Sequence, residues 1–235
     1  MTLAEPSKNR GNGRFRAVLW DFGGVILSSP FEAFRRWEVE RGLPPDTIRG
    51  INATDPDRNA WARFERNEID AGEFDRAFAT EAAARGHSIR GADVLALLHG
   101  EIRPEMVRAL DHVRDAGFLV ACLTNNVAGG DGQRTDGRQR DGHAADDPRR
   151  RAVESVMERF HAVVESSKVG VRKPEPGFYR LACSLLDVRP TDCVFLDDLG
   201  VNLKPAAAMG MTTIKVADPQ RAIAELEATI GLSLS

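Results

Sequence analysis

The sequence has few cysteines, no long apolar run and little net charge, and each shortage excludes a class of protein. Only three of its 235 residues are cysteines, Cys122, Cys183 and Cys193, and no two of them form a CxxC pair. They lie inside apolar segments, so we predict buried thiols in a reducing cytoplasm rather than disulfides or zinc ligands. No apolar run approaches the roughly 18 residues of a membrane span. A net charge of −3 gives no reason to expect nucleic acid or a membrane as a partner.

Two segments lack the apolar residues that a packed element needs. Residues 1–14 are polar and carry Pro and Gly, and residues 129–150 consist almost entirely of Gly, Asp, Arg, Gln, Thr, His and Ala. We predict a flexible tail for the first and a mobile surface loop for the second, because neither can offset the entropy of ordering. A calcium loop is disfavoured, because position twelve counted from Asp131 is Gly142 instead of the Glu that an EF-hand requires.

The rest of the chain predicts an α/β fold in two parts. An apolar strand at about 15–21 is followed by purely helical patterns up to about 99, and strands alternate with helices after 104. Such alternation predicts right-handed βαβ units and a parallel sheet covered on both faces. We therefore predict a core from residues 15–28 and 104–235, and a small all-helical cap domain from residues 29–103. In the first helix of that cap, Phe31, Phe34, Trp37 and Val39 are expected near one face.

The first strand ends in the sequence Ala17-Val-Leu-Trp-Asp-Phe-Gly-Gly-Val-Ile26. Asp21 follows a short buried run, and Gly23 and Gly24 allow a sharp turn and a close approach to a ligand. Ligands bind at the carboxyl ends of strands in open parallel sheets, so Asp21 is a candidate nucleophile or metal ligand. The alternative is that Asp21 merely caps the next segment.

Four segments place polar side chains where an apolar run ends. They are Asp21, Thr124-Asn125, Lys173 and Asp197-Asp198. Taken singly, each has a structural alternative: a turn, an exposed lysine, or a helix cap, which also applies to Asn202. Together they are what phosphoryl transfer through an aspartyl phosphate requires: an attacking carboxylate, phosphate-binding groups, a neutralising lysine, and further carboxylates for Mg²⁺.

These four segments, in this order, resemble the motifs of the haloacid dehalogenase-like (HAD) hydrolase superfamily. From Ala162 to about Leu232 the sequence is similar to the N-terminal phosphatase domain of soluble epoxide hydrolases and to the hydrolase-like domain of acyl-CoA dehydrogenase family member 10. The resemblance implies a Rossmann-like core with a helical cap, and a Mg²⁺-dependent phosphatase acting on a small phosphorylated metabolite. Epoxide hydrolysis is not predicted, because the sequence has no Gly-x-Ser-x-Gly nucleophile elbow.

The resemblance also implies a role for each matching position. Asp21 would be the nucleophile and a Mg²⁺ ligand, together with the Gly23 carbonyl and Asp198, while Asp197 would support either the metal or the lysine. Thr124 and Asn125 would bind phosphate oxygens. Lys173 would neutralise charge during catalysis, and Asn202 would orient the acidic loop.

The sequence departs from the superfamily at Gly23. Phosphatases of this kind usually have an Asp two residues after the nucleophile, which protonates the leaving oxygen and then activates water. The sequence leaves three alternatives open: a substrate whose leaving group needs little protonation, a substitute carboxylate from the cap, or a binding or regulatory protein with weak turnover. Four cap carboxylates are available and unranked: Glu32, Asp55, Asp57 and Glu65. A metal-independent dehalogenase is a further alternative, disfavoured because two neighbouring acids would repel without a cation.

Overall fold

The computed structural model describes residues 13–98, 100–127 and 148–234. The predicted tail lies almost wholly outside these ranges, and so does most of the predicted loop at 129–150. Residues 148–150 are the exception, because they already form the first turn of a helix. At residues 148–150 the prediction of a loop is therefore wrong. Pro148 is at the first position of this helix, where its missing N–H group costs nothing.

The described residues form one five-stranded parallel sheet, as predicted. Its spatial order is β3-β2-β1-β4-β5, which puts the first strand in the middle. The strands are β1 (Ala17–Trp20), β2 (Leu119–Thr124), β3 (Ala162–Glu165), β4 (Cys193–Asp197) and β5 (Thr212–Lys215). Trp20 is level with Cys122 on one side and Leu196 on the other, so the residues after these positions lie at one edge of the sheet.

Both faces of the sheet are buried, which explains why its central strands read as continuous apolar runs. Successive side chains of a strand point to opposite faces. Val18 and Trp20 accordingly join one apolar cluster, whereas Ala17 and Leu19 join the other. The helices that flank the sheet are α6 (Pro104–Asp115), α7 (Pro148–Met157), α8 (Ser166–Val169), α9 (Pro176–Leu186), α10 (Gly200–Ala208) and α11 (Pro219–Ile230).

A block of helices is inserted between β1 and α6. Its members are α1 (Pro30–Glu40), α2 (Thr47–Asn52), α3 (Ala60–Glu65), α4 (Ala71–Ala84) and α5 (Gly91–Leu95). This helical insert has its own apolar cluster, in which the Phe64 and Phe74 rings stack with centroids 4.8 Å apart. Helix α4 begins with a capping box formed by Asp70 and Glu73. The insert is where the sequence predicted a cap domain, and the limits 29–103 stay a prediction.

The predicted apolar face of α1 was wrong at one position. Val39 is 69% exposed, while its neighbour Glu38 is 1% exposed. The Glu38 carboxylate accepts hydrogen bonds from the backbone N–H groups of Asp46 and Ile48, at 2.9 and 2.8 Å. Burial of Glu38 is thus compensated by hydrogen bonds, which hydrophobic periodicity cannot register.

The prediction of buried thiols is confirmed, because all three cysteines are free and buried. Among the helices of the described ranges, none has the length and apolar character needed to cross a membrane.

Candidate active site

The predicted site residues converge at the carboxyl edge of the central strands. Lys173, from the loop between α8 and α9, places its Nζ 2.7 Å from Asp21 Oδ1 and 2.8 Å from Asp197 Oδ2. Lys173 is 1% exposed, so the alternative of an exposed loop lysine is wrong. The ammonium therefore lies between two carboxylates that come from neighbouring strands.

The buried charges of this cluster shift one another's protonation. Burial raises the pKa of Asp21 well above its usual value; Lys173 opposes this shift, and Asp197 and Asp198 reinforce it. Burial alone would lower the pKa of Lys173, but Asp197 and Asp21 outweigh it, so the pKa is raised. The lysine therefore stays charged at all ordinary pH values.

Asp197 is fixed by neighbours on several sides. Its carboxylate accepts from Asn202 Nδ2 at 3.0 and 3.1 Å and from the Leu199 backbone N–H at 2.8 Å, besides its ion pair with Lys173. The backbone carbonyl of Asn202 in turn accepts from the hydroxyl of Tyr179 at 2.7 Å. Asn202 lies inside α10 and bonds to Asp197, so its alternative role as the cap of that helix is wrong.

Asp198 has fewer close partners than Asp197. It accepts a long hydrogen bond of 3.3 Å from the Ser29 hydroxyl, just before α1. Burial and the neighbouring Asp197 raise its pKa to about 6. Carboxylate oxygens of Asp21, Asp197 and Asp198 lie within 4.8 Å of one another. Three carboxylates beside one ammonium are an oxygen-rich, electron-rich donor set that suits a hard divalent cation such as Mg²⁺.

The two glycines after the nucleophile position differ in their surroundings. Gly24 has φ +83°, and a Cβ there would lie 2.3 Å from Asp198 Oδ2. Its missing side chain is what lets Asp198 approach this turn. A Cβ on Gly23, by contrast, would meet no heavy atom within 4 Å. Position 23, where related phosphatases usually have the acid–base Asp, therefore has space for a Cβ, although glycine occupies it.

The side chain of Asn125 connects two of the predicted motifs. Its Nδ2 donates to the Lys173 carbonyl at 3.0 Å, and its Oδ1 accepts from the Lys173 backbone N–H at 2.9 Å. Thr124, the last residue of β2, is buried beside it. The sequence predicted that Asn125 binds phosphate oxygens. In the structure its side-chain amide makes hydrogen bonds to the backbone of Lys173. The next residue, Asn126, similarly ties this turn to Glu165 and Ser167.

The helical insert reaches the site through Glu65, the last residue of α3. Glu65 is 5% exposed, and its Oε1 accepts from the Trp61 indole at 2.9 Å. Its Oε2 forms an ion pair with Arg172 Nε, 2.5 Å away, and lies 3.5 Å from Asn125 Nδ2. Next to it, Arg66 pairs with Glu175 at 2.9 Å.

The remaining cap carboxylates named from the sequence do not resemble Glu65. Glu32, Asp55 and Asp57 are exposed. Sequence reasoning could not rank the four, and it missed Arg172 and Tyr179 altogether. Arg172 is next in sequence to the recognised Lys173, but contacts between segments far apart in sequence are not visible in a linear pattern.

The chain belongs to the haloacid dehalogenase-like hydrolase family, whose model matches residues 15–210. The chain is similar to acyl-CoA dehydrogenase family member 10 of Mus musculus, with 34% identity over 231 residues, 95% of this chain and 20% of the relative. It is also similar to bifunctional epoxide hydrolase 2 of Mus musculus, with 31% identity over 92% of this chain and 39% of the relative. The chain thus spans well under half the length of these two curated relatives. The predicted family, and the prediction of a hydrolase, are confirmed.

A solved structure supports the fold. It is a HAD family enzyme from Bacteroides thetaiotaomicron in complex with magnesium and inorganic phosphate. The two chains are 18% identical and superpose with a TM-score of 0.53 over 86% of this chain and 93% of that one. At this level of identity the likeness establishes the shared α/β fold.

Proposed function

We propose that the protein is a Mg²⁺-dependent phosphatase that hydrolyses a small organic phosphate monoester through a phosphorylated Asp21. One observation carries the proposal: Asp21, Lys173, Asp197 and Asp198 converge from distant parts of the chain into one buried cluster. Such a cluster has the nucleophile, the fixed cation and the carboxylates that phosphoryl transfer through an aspartate requires. The family relationship and the magnesium and phosphate bound by the structural neighbour support the same assignment.

Asp21 attacks phosphorus as a carboxylate. Lys173 and the backbone N–H of Phe22, at 2.7 Å each, both contact its Oδ1, which orients the group and favours its ionised form. We assign the attack to Oδ2, because Oδ1 is held by these two donors. The Thr124 hydroxyl and backbone N–H groups of the following turn receive the phosphoryl oxygens, and Lys173 balances their charge.

Asp198, Asp21 and the Gly23 carbonyl would hold the Mg²⁺, which when bound neutralises phosphoryl charge and orients the phosphate. The sequence left two roles open for Asp197, support of the metal or of the lysine. We assign it to the lysine, because its oxygens are occupied by Lys173, Asn202 and Leu199. Asp197 therefore positions the lysine. Asn202 in turn positions Asp197 through the hydrogen bonds of its side-chain amide.

The test is release of inorganic phosphate by the purified protein. We expect hydrolysis of an aryl phosphate and of members of a metabolite phosphate panel with Mg²⁺, and none after metal removal by EDTA. Asp21→Asn should abolish turnover and phosphorylation of the protein detected by mass spectrometry. Asp115→Asn, at an exposed position at the end of α6, is the matched control and should keep full activity.

Two alternatives have their own outcomes in the same experiment. Gly23 favours a binding or regulatory protein with weak turnover, which predicts phosphate binding without phosphate release at any Mg²⁺ concentration. A dehalogenase predicts halide release from 2-chloropropionate in EDTA. The three clustered carboxylates disfavour this last alternative, because one ammonium cannot balance them.

A further inference from the structure

The proposed phosphatase lacks a side chain that moves a proton at the position where Asp is usual. General acid–base catalysis contributes about 10²–10⁴ in rate, so a working phosphatase on ordinary esters needs another group. That group must reach the leaving oxygen of a phosphate bound beside Asp21, and the sequence offers acids of the helical insert as candidates. The question is which carboxylate of the insert reaches the site.

Glu65 is the carboxylate that the geometry selects. Of the four acids of the insert considered above, it alone is buried, and its carboxylate contacts Asn125 of a predicted motif. Its Oε2 lies 3.5 Å from Asn125 Nδ2, next in sequence to Thr124. The same oxygen pairs with Arg172, next in sequence to Lys173. Glu65 therefore adjoins both segments that would bind the phosphoryl group.

The surroundings of Glu65 also suit a group that exchanges protons. Burial raises its pKa, although two cations of the loop before α9, Arg172 and Lys173, oppose the shift. The third neighbour, Trp61 of its own helix, donates a hydrogen bond and carries no charge. A carboxyl group with a raised pKa can hold a proton in one half of a reaction and release it in the other.

We infer that Glu65 is the general acid and base of the reaction, replacing the carboxylate that Gly23 lacks. In the first step Asp21 bonds to phosphorus, the bond from phosphorus to the leaving oxygen breaks, and that oxygen takes the proton of the Glu65 carboxyl group. In the second step the Glu65 carboxylate takes a proton from water. The water oxygen bonds to phosphorus, the bond to Asp21 breaks, and phosphate leaves with Asp21 and protonated Glu65 restored.

The competing explanation is that Glu65 only attaches the insert to the core. The adjacent pair Arg66–Glu175 makes the same connection between the same two segments, with its atoms 2.9 Å apart. This pair provides a matched control. Breaking it weakens the attachment without removing the carboxylate beside Asn125.

The inference rests on the proposed function and is tested with two esters. An alkyl phosphate needs a proton on its leaving oxygen, whereas 4-nitrophenyl phosphate does not. For Glu65→Gln we expect kcat/KM to fall about 10²–10³-fold with the alkyl ester. With the aryl ester, kcat and KM should fall together while kcat/KM changes little, because only hydrolysis of phospho-Asp21 is slowed. A burst of nitrophenolate close to one equivalent per protein should appear.

A second variant and a pH profile separate catalysis from structure. With the wild-type protein, kcat/KM for the alkyl ester should decrease as pH rises through the raised pKa of Glu65, and Glu65→Gln should lose this decrease. A Cβ at position 23 would meet no heavy atom within 4 Å, so Gly23→Asp restores an acid there without a clash at its Cβ. The double variant with Glu65→Gln should recover at least tenfold of the lost alkyl activity. Glu175→Gln should keep the wild-type ratio of alkyl to aryl kcat/KM.

The inference is overturned if Glu65→Gln lowers kcat/KM equally for both esters, shows no burst, or gains nothing from Gly23→Asp while remaining folded. If Glu65→Gln does not fold, the same criteria apply to Glu65→Asp. This substitution shortens the side chain by one methylene group, moves the carboxylate away from the site, and should show a weaker form of each effect. A wild-type protein that hydrolyses neither ester refutes the proposed function itself, and the role of Glu65 with it. An active wild type with an unselective Glu65→Gln refutes the role of Glu65 alone.

Discussion

Replacing Asp198 should stabilise the metal-free protein while destroying its function. Asp198 lies near Asp197 and Asp21, and Lys173 contacts those two rather than Asp198. Its ionised form is therefore poorly compensated when no cation is bound. The substitution Asp198→Asn removes this charge and keeps an oxygen that can accept from the Ser29 hydroxyl. The expected result is a larger free energy of unfolding in EDTA.

The magnitude follows from the shift in the pKa of Asp198, from 3.8 to about 6. At about 1.4 kcal/mol per pH unit, ionising this group costs the fold up to about 3 kcal/mol. Solvent reaches part of the side chain and screens the charge, so we expect about 1–2 kcal/mol. In a protein of this size that corresponds to an increase in Tm of about 2–8 °C.

The sign of the pH dependence is fixed by linkage. A carboxyl group whose pKa is raised by folding binds its proton more tightly in the folded chain than in the unfolded chain. The cost is therefore absent below about pH 4, grows between pH 4 and 6, and is complete above pH 6. Asp198→Asn should match the wild type in stability at pH 4 and exceed it at pH 8.

Urea denaturation in EDTA at these two pH values measures the effect, with Asp115→Asn as the exposed control. Repeating the measurement with Mg²⁺ should stabilise the wild type by about 2.7 kcal/mol at one hundred times its Kd, and leave Asp198→Asn unchanged. If Asp198→Asn is destabilised at pH 8, or gains equally at both pH values, the account of an uncompensated carboxylate is refuted.

Three further predictions follow from the packing of the site and the insert. Lys173→Met should abolish phosphate release and lower the free energy of unfolding by about 3–5 kcal/mol, because it leaves two buried carboxylates without a counter-charge; urea denaturation measures this. Gly24→Ala should cost at least about 1 kcal/mol and most of the Mg²⁺-dependent activity, because its Cβ meets Asp198 and its φ is +83°. Gly23→Ala is the matched control and should leave the stability nearly unchanged, since its Cβ meets nothing. Phe78→Ala, at 0% exposure in the insert, should lower the free energy of unfolding by about 3–5 kcal/mol, again by urea denaturation.

The elements of the core were predictable because their signals are local. A buried parallel strand is a short apolar run, and β1 (Ala17–Trp20) lies inside the stretch of about 15–21 that the sequence predicted. Other boundaries differ by a few residues. The strand β4 includes Asp197, for example, which the sequence placed after the strand. An acid at the end of an apolar run is typical of the start of a turn. The sequence does not reveal that Asp197 still pairs with Lys215 of β5 and so continues the strand.

The convergence of the four predicted motifs could be predicted from the sequence, but the contacts of the insert could not. Parallel strands bring their carboxyl ends to one edge whatever their order, so Asp21 and Asp197 had to lie at the same edge of the sheet. That they are neighbours follows from the observed order, in which β4 is next to β1. Glu65 and Arg172, by contrast, meet across 107 positions of sequence through the packing of α3 on a loop. Nothing in the residues around Glu65 distinguishes it from Glu32 or Asp55 until that packing is known.

The alternation of side chains along β4 explains why the two adjacent acids differ. Phe195 faces the cluster that packs on α9 and α10, Leu196 faces the opposite cluster, and Asp197 therefore returns to the first face. On that face Asp197 meets Asn202 and Lys173, which saturate its oxygens. Asp198 lies beyond the strand and is spared those partners. The alternation along one strand thus explains why Asp197 pairs with the lysine and Asp198 does not.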